Sequence, residues 1–353
     1  MSGAGRVKRW GLKVPARAGE EVLKALRALG LMERGLKVVR EGGSIVVPLK
    51  SDAPEEVVRR VASEFGGEVV EAEFRETLLG KKYKDLLKGL VPEEVLERLP
   101  SSFDIVGEAA LIQLPPEAEP YGRLVADAIM KVARNVKGVY AVGPVSGEFR
   151  VRPVKLIGGE DVGEVVHREY GVRVKVDLRR AYYNPSLAEE HRRVAELVKD
   201  GEVVADLFCG VGPFTLHIIT LRNAVSYAVD LNPHAIKCLL ESLELNARSL
   251  RGRAIPTCGD VLDFLRITRD GVFDRVVMNL PHKAVNYLPD VAPKVRCGGV
   301  IHVYVVSRSE AEALNKVEGV GSALGLMPEG VRRVLDYAPR KWVFRVDVRK
   351  ACR

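Results

Sequence analysis

No run of about 18 consecutive apolar residues occurs in the chain, so no membrane-spanning helix is expected. The opening MSGAGRVKRWGLKV lacks the apolar stretch of a signal peptide, and the expectation is an intracellular, cytoplasmic protein. Cysteine is sparse and scattered, at Cys209, Cys238, Cys258, Cys297 and Cys352, with no C-x-x-C pair. That argues against a zinc knuckle, and no metal site is expected. The five read instead as small buried hydrophobes in a reducing compartment. Glutamine is scarce while charged residues are abundant, a balance that suits a heat-adapted source. There is no internal repeat and no low-complexity tract.

What is present is ample material for folded cores. The chain has 353 residues, 47% hydrophobic and 29% charged, enough for two or three domains. A net charge of +8 and a pI of about 9.2 permit a polyanionic partner such as nucleic acid.

The pattern of elements divides the chain in three. In residues 10 to 73, WGLKV reads as a strand and GEEVLKALRALGL as a helix with apolar spacing of three and four. LKVVREGGSIVVPL reads as a hairpin turning at Gly42-Gly43, and APEEVVRRVASEFGG as a helix opening with Pro in its first turn. EVVEAEF is a further strand, and GKKYKDLLKG a polar connection. From about 80 to 178, SFDIVGEAALIQL has strand character and PYGRLVADAIMKVARNV is an amphipathic helix. VYAVG is a strand, while GEFRVRPVKLI and YGVRVKVDL alternate with basic residues on one face. Such a face is solvated or tracks phosphates. From about 179 the strands EVVADLF, AVSYAVDL, AIPTCGDV, FDRVVMNL and GGVIHVYVV alternate with helices, as in a parallel doubly wound sheet. GVRRVLDYAPRKWVFRVDVRK reads as two antiparallel strands joined near Ala338-Pro339.

The strand tips carry the chemistry. After the first comes Asp206-Leu-Phe-Cys-Gly210-Val-Gly212-Pro-Phe214, whose glycines let the backbone turn sharply and approach a ligand. A dinucleotide fingerprint wants a third glycine, and Thr215 stands there. A Walker loop wants Gly-Lys-Ser/Thr, which is absent, so NAD and ATP are both disfavoured. The second strand ends in Asp230, 24 residues after Asp206, where a carboxylate can accept from both ribose hydroxyls. The third ends in Gly259-Asp260, and there a carboxylate can receive an adenine amino group. The fourth ends in Asn279-Leu280-Pro281-His282. Any one of these residues alone reads as a helix cap or turn, Asp230 before NPHAIKCLLESLEL for instance. Four together point to a nucleoside-bearing cofactor.

This pattern resembles the class I S-adenosylmethionine-dependent methyltransferases over about 200 to 349. M-N-L-P followed by A-x-x-[YF]-L is similar, more narrowly, to the archaeal and eukaryotic tRNA (guanine-37-N1)-methyltransferase family. GEFRVRPVKLIGG with HREYGVRVKVDL, AYYNPSLAEEHRRV, SSFDIVGEAALIQLP and VLDYAPRKWVFRVDV carry the same resemblance.

The resemblance implies an α/β chain. A Rossmann-like class I methyltransferase domain with a C-terminal antiparallel hairpin spans 179–353. Two smaller α+β domains precede it, at 1–75, contacting tRNA, and at 76–178. It implies S-adenosyl-L-methionine as cofactor, tRNA as substrate, no metal, no membrane partner, and a monomer. Residue by residue, Glu190 falls on the general base, Arg150 on the arginine contacting the guanine, and Tyr182 on the aromatic near base and cofactor. Asn279 falls on the asparagine of the tip, with Pro281 beside the substrate. His191, in place of a family arginine, touches the cofactor, as do Asp206, Phe208, Gly210 and Gly212 of the loop. Asp230 with Leu231, Asp260 with Val261, and Asn279 complete the cofactor set. Asn184 and Ser186 depart from the family's Ser and Arg. The implied reaction is methylation of guanosine-37 at N1, with the base removing the N1 proton and a guanidinium stabilising charge at O6. A dual-specificity enzyme acting also on a wyosine intermediate and the related aminocarboxypropyl transferase are the alternatives. A non-catalytic tRNA-binding protein of the same fold is a more distant one.

Overall fold

A computed structural model of the chain describes residues 6–33, 35–75 and 82–352. The residues form two compact units. One takes the chain up to Leu99 together with Asp127–Arg134, and the other takes Pro100–Ala126 and Asn135–Arg353.

The smaller unit is built on strand β1 (Arg6–Pro15), with helix α1 (Gly19–Ala28), β2 (Val39–Glu41), β3 (Ser44–Pro48), α2 (Glu55–Glu64), β4 (Glu68–Arg75) and α3 (Glu93–Arg98) following. β1 pairs antiparallel with β3 on one side and β4 on the other, giving the order β2-β3-β1-β4. Spacing of four puts Val22 and Leu26 of α1 on the buried face, and Val58, Val61 and Ala62 of α2 join them over Leu12, Val14 and Val47. Glu55 and Glu56 complement the α2 dipole. Pro54 stands at the N-cap of α2 rather than inside its first turn, and its carbonyl accepts from Val58 N. Of the supposed connection GKKYKDLLKG, 80–81 lie outside the described residues. The rest is not merely polar: Tyr83–Leu86 is a 3-10 turn that buries Tyr83, and Leu87 is buried beside it.

In the larger unit, SFDIVGEAALIQL forms two strands, β5 (Asp104–Val106) and β6 (Ala109–Ile112), folded at Gly107, whose φ is +58°. β7 (Gly138–Val142) and β8 (Val154–Gly159) complete a sheet ordered β5-β6-β7-β8, and α4 (Gly122–Val132), which precedes them, belongs to the smaller unit from Asp127 on. β9 (Glu164–Glu169) and β10 (Val172–Asp177) form a hairpin. The basic face of β10 turns out to be neither solvated nor free for phosphate. Lys175 pairs with Glu164 at 2.9 Å, and the Arg173 guanidinium bonds Leu245 O.

The remaining elements are α5 (Ala188–Leu197), β11 (Val203–Leu207), α6 (Pro213–Leu221), β12 (Val225–Asp230), α7 (Pro233–Asn246), β13 (Arg253–Cys258), α8 (Val261–Ile267), β14 (Phe273–Met278), α9 (Leu288–Val291), β15 (Val295–Ser307), α10 (Glu310–Gly321), β16 (Leu326–Ala338) and β17 (Lys341–Lys350). They build a seven-stranded sheet ordered β13-β12-β11-β14-β15-β17-β16. Its first five strands are parallel, and β17 pairs antiparallel with both β15 and β16. β14 is buried at every residue, as a central parallel strand covered by helices must be. Chain order reverses between β12–β11 and β14, so the crevice at the strand ends there is the expected ligand position.

Two expectations need correction. Cys297 and Cys352 are not free hydrophobes but a disulfide, with Cα atoms 4.8 Å apart across 55 residues of sequence. Cys258 is exposed, leaving only Cys209 and Cys238 as buried thiols. No helix among the described residues is long and apolar enough to cross a membrane.

Candidate functional site

The loop after β11 is wound tightly. Phe208, Gly210 and Gly212 have φ of +66°, +55° and +76°. A Cβ on Gly212 would lie 2.4 Å from Leu239, so only glycine satisfies both the turn and the close packing there. Asp230 fastens the loop: Oδ2 accepts from Gly210 N at 2.7 Å and Oδ1 from Asn232 N at 2.9 Å. Asp206 is fully buried. Its Oδ2 accepts from Thr215 N (3.2 Å) and Oγ1 (2.8 Å), so the residue in place of a third glycine serves as the partner of the carboxylate. Oδ1 of Asp206 has no hydrogen-bond partner, and burial pushes its carboxyl up to about 7. A buried acceptor without a donor is costly, and a ligand donor at the loop would satisfy it.

The capping alternative for Asp230 fails. Asn232 caps α7, accepting from His234 N at 3.0 Å. Asp260 does act as a cap, accepting from Leu262 N at 2.7 Å through Oδ1. Leu231 is exposed at the tip of β12, whereas the Val261 side chain is buried in the sheet core. Phe208 packs edge-on against Tyr287, with ring centroids 4.9 Å apart. Tyr287 belongs to the A-x-x-Y-L stretch, and burial and then Asp260 raise its phenol pKa.

Glu190 is not the surface glutamate that the charged helix LAEEHRRVAELV would suggest. It is 2% exposed. Oε1 accepts from Tyr304 Oη at 2.9 Å and Arg345 Nη1 at 2.7 Å, and Oε2 accepts from Arg193 Nη1 at 2.8 Å. Val303 pairs with Met278 in parallel register, so Tyr304 lies level with Asn279 at the β14 tip. Pro281 O accepts from Val306 N and ties that tip to β15. Arg345 is held in turn by Asp347, Asp347 by His302, His302 by Arg275, and Arg275 by Glu202. Burial would lower the Arg345 pKa, but the carboxylates of Glu190 and Asp347 more than offset it and the net shift is upward. Tyr304 and Arg345 were missed in the sequence. Only Arg345 had a signal: in W-V-F-R-V-D-V it shares one face of an apolar strand with Asp347, which demands buried partners without naming them.

Arg150 sits in a tight turn with φ +51°, its amide bonded to Gly147 O, and Ser146 N bonds Val151 O across the turn. Its charge helps lower the pKa of His282, after burial, so the turn lies within electrostatic reach of the β14 tip. The carbonyl of Tyr182 is 3.7 Å from where a Cβ on Gly210 would stand, and the Arg152 guanidinium lies 5.5 Å from the Tyr182 ring centroid. Asn184 supplies the turn before α5, accepting from Ser186 N at 3.0 Å.

His191 is 1% exposed. Its Nδ1 meets Glu169 Oε2 at 2.9 Å, and its ring packs edge-on against Phe214 of the loop. Glu169 also bonds His217 and Tyr183. Burial pushes the Glu169 carboxyl up, yet the hydrogen bonds of His191 and His217 prevail and hold it below its usual range. So His191 is oriented from behind by a carboxylate. Among the described residues no group of His, Cys, Asp and Glu is placed to hold a metal.

Comparison with known proteins bears on this arrangement. The family model described as the TRM5/TYW2 methyltransferase domain matches residues 165–324, that of the TYW2 N-terminal domain 83–162, and that of the tRNA methyltransferase 5 N-terminal domain 11–58. The tRNA (guanine(37)-N(1))-methyltransferase Trm5b of Pyrococcus abyssi is 35% identical over 346 residues, covering 96% of this chain and 98% of the relative. Its crystal structure aligns with a TM-score of 0.72 at 34% identity over 98% of this chain and 100% of that one. The structure of aTrm5 with tRNALeu aligns with a TM-score of 0.69 at 28% identity over 96% and 99%. The tRNA(Phe) (4-demethylwyosine(37)-C(7)) aminocarboxypropyltransferase of Pyrococcus horikoshii is 27% identical over 275 residues, covering 76% of this chain and 96% of the relative.

Proposed function

This chain belongs to the TRM5/TYW2 methyltransferase family, and from that premise we infer that it methylates N1 of guanosine-37 in tRNA with S-adenosylmethionine. The full-length match to a guanine-37 methyltransferase favours this over aminocarboxypropyl transfer, whose relative covers less of the chain at lower identity. The observation that carries the chemistry is the buried carboxylate of Glu190, level through Tyr304 with Asn279 at the β14 tip.

The loop fits the cofactor. Oδ1 of Asp206 is a buried acceptor that matches an ammonium donor, Gly210 leaves room for close approach, and Asp230 and Asp260 stand at the strand ends where ribose and adenine groups would be held. When bound, S-adenosylmethionine supplies a methyl group on a positively charged sulfur that departs with the bonding pair.

The protein's own part follows from the chemistry of guanine. N1 carries a proton and is a poor nucleophile until it is lost. Glu190 is the base that takes it. Charge then grows toward O6, where the Arg150 guanidinium stabilises it. Asn279 has a donor and an acceptor for the base edge, and Pro281 stiffens the turn that presents it. Tyr182 packs beside the base. The guanine must leave its stack to reach this crevice, which an anticodon loop makes easier than a duplex would. Three segments serve this: 1–75 contacts tRNA, 76–178 carries the Arg150 turn, and 179–353 carries the cofactor site. The break between the matched family models at 58–83 favours the first boundary, while the methyltransferase model already begins at residue 165.

The test is incubation with unmodified tRNA transcript and labelled S-adenosylmethionine, followed by nucleoside mass spectrometry. N1-methylguanosine at position 37 is the expected product. Label in a different nucleoside, or a transferred carbon chain other than methyl, would overturn the assignment.

A further inference from the structure

The contacts around Glu190 are of two kinds. Arg345 is 4% exposed and is itself gripped by Asp347 at 3.1 Å, while Tyr304 is fully buried in the sheet. These two occupy Oε1. Arg193, on Oε2, is different. Its side chain is 26% exposed, lies one helical turn along α5, and is shared with Glu189, whose own side chain is 72% exposed. A carboxylate has about four acceptor positions. Two on Oε1 and one on Oε2 are taken. One position on Oε2 remains, beside the one Arg193 holds, and a proton leaving guanine must therefore arrive there.

A guanidinium shared between two carboxylates at the protein surface is well suited to exchange onto phosphate, which it binds in the same forked geometry. We propose that Tyr304 and Arg345 are the fixed positioning residues of Glu190 and that Arg193 is an exchangeable one. A tRNA phosphate draws Arg193 off Oε2 and so uncrowds the acceptor through which the base works. The inference rests on the reading of Glu190 as the base. It makes full exposure of the base conditional on RNA. In free protein the carboxylate keeps its two guanidinium partners, which satisfies a charge that would otherwise be buried and unpaired. His191, the next residue on α5, is turned to Glu169 and takes no part in the exchange.

Two measurements on the full-length protein separate the fixed from the exchangeable partner. One is tRNA binding as a function of salt, and the other is the single-turnover rate at saturating tRNA and cofactor. Arg193→Gln should lose one phosphate contact. Its plot of log affinity against log salt should be shallower by roughly 0.7–0.9, with the loss falling on half-saturating tRNA more than on the saturating rate. Arg345→Gln should show the opposite split: an unchanged salt slope and a saturating rate down at least about tenfold. Tyr304→Phe keeps the volume, removes one donor and should reproduce the Arg345 pattern more mildly, so a poorly folding Arg345 variant leaves the question open to test. An Arg193→Gln variant with the parent's salt slope and a saturating rate as low as that of Arg345→Gln would overturn the exchange, because Arg193 would then belong to the fixed set. Glu190→Gln with a near-parental rate would instead remove the base reading itself, whatever Arg193 does.

Discussion

Asp206 has no exposed surface, and burial raises its carboxyl from an ordinary 3.8 to about 7. A raised carboxyl favours folding in its protonated form. Its stabilising contribution is thus complete below about pH 4 and is lost as the pH climbs toward 7. A difference of that size corresponds to at most about 4 kcal/mol. Asp206→Asn cannot titrate. Its melting temperature relative to the parent should therefore rise between pH 5 and pH 8, by thermal unfolding at each pH. A constant offset would mean that the carboxyl is not perturbed. The same variant should bind S-adenosylhomocysteine more weakly in calorimetry, since the orphaned Oδ1 is replaced. At Glu190 the expectation is kinetic. Glu190→Gln keeps the shape but cannot accept the proton, and the single-turnover rate should fall roughly 10²–10⁴-fold. Because an amide nitrogen would face the donors Arg345 or Arg193, cofactor binding must be checked alongside. A rate within about threefold, only about 0.7 kcal/mol in the barrier, would leave Glu190 a structural ion-pair partner.

At the scale of elements, the Arg150 turn holds a non-glycine residue in the left-handed region. Such strain typically costs about 1–3 kcal/mol and is kept where function requires it. Arg150→Gly should relieve the strain, leave the melting temperature equal or higher, and slow methyl transfer; Arg150→Ala keeps the strain and should slow it as well. Both should weaken tRNA binding much less than they slow chemistry. If Arg150→Gly transferred methyl groups at the parent's rate, the guanidinium would be idle. Elements of this kind also mark what the sequence could and could not disclose. The strand tips at Asp206, Asp230, Asp260 and Asn279 were legible because each follows an apolar run at a strand's end. The β15–β17 face was not. Arg345 reaches Glu190 across 155 residues of sequence, and no local pattern names a partner so distant. Disulfide pairing was equally hidden, since Cys297 and Cys352 lie 55 residues apart and meet only once β15 and β17 are neighbours. Closing a loop of that length contributes about 4 kcal/mol in the chain-entropy account. Cys297→Ser should therefore lower the melting temperature by several degrees under oxidising conditions, and by nothing further when the parent is reduced.

For the whole molecule, the question is which parts bind and which react. The sheet β2-β3-β1-β4 is complete within Arg6–Arg75, and its core of Leu12, Val14, Val22, Leu26 and Val47 is drawn from the same stretch. The loop at Asp206–Gly212, the tip at Asn279 and the cage of Glu190 all lie in the larger unit, with cores of their own. Removing 1–75 therefore takes away a whole sheet with α1 and α2 and cuts no strand of the other sheets. The truncated protein should keep its affinity for S-adenosylhomocysteine within about threefold, a change of only about 0.7 kcal/mol. Its tRNA affinity should fall at least about tenfold, and the dependence on salt should become shallower because phosphate contacts are lost with the segment. Methylation should then suffer mainly at low tRNA concentration and recover toward the parent's rate as tRNA is raised. Two results would overturn this division. Methylation of full-length tRNA at the parent's rate under sub-saturating conditions would show that the first 75 residues do not contact tRNA. Loss of cofactor binding on truncation would show that the catalytic part does not fold independently of them.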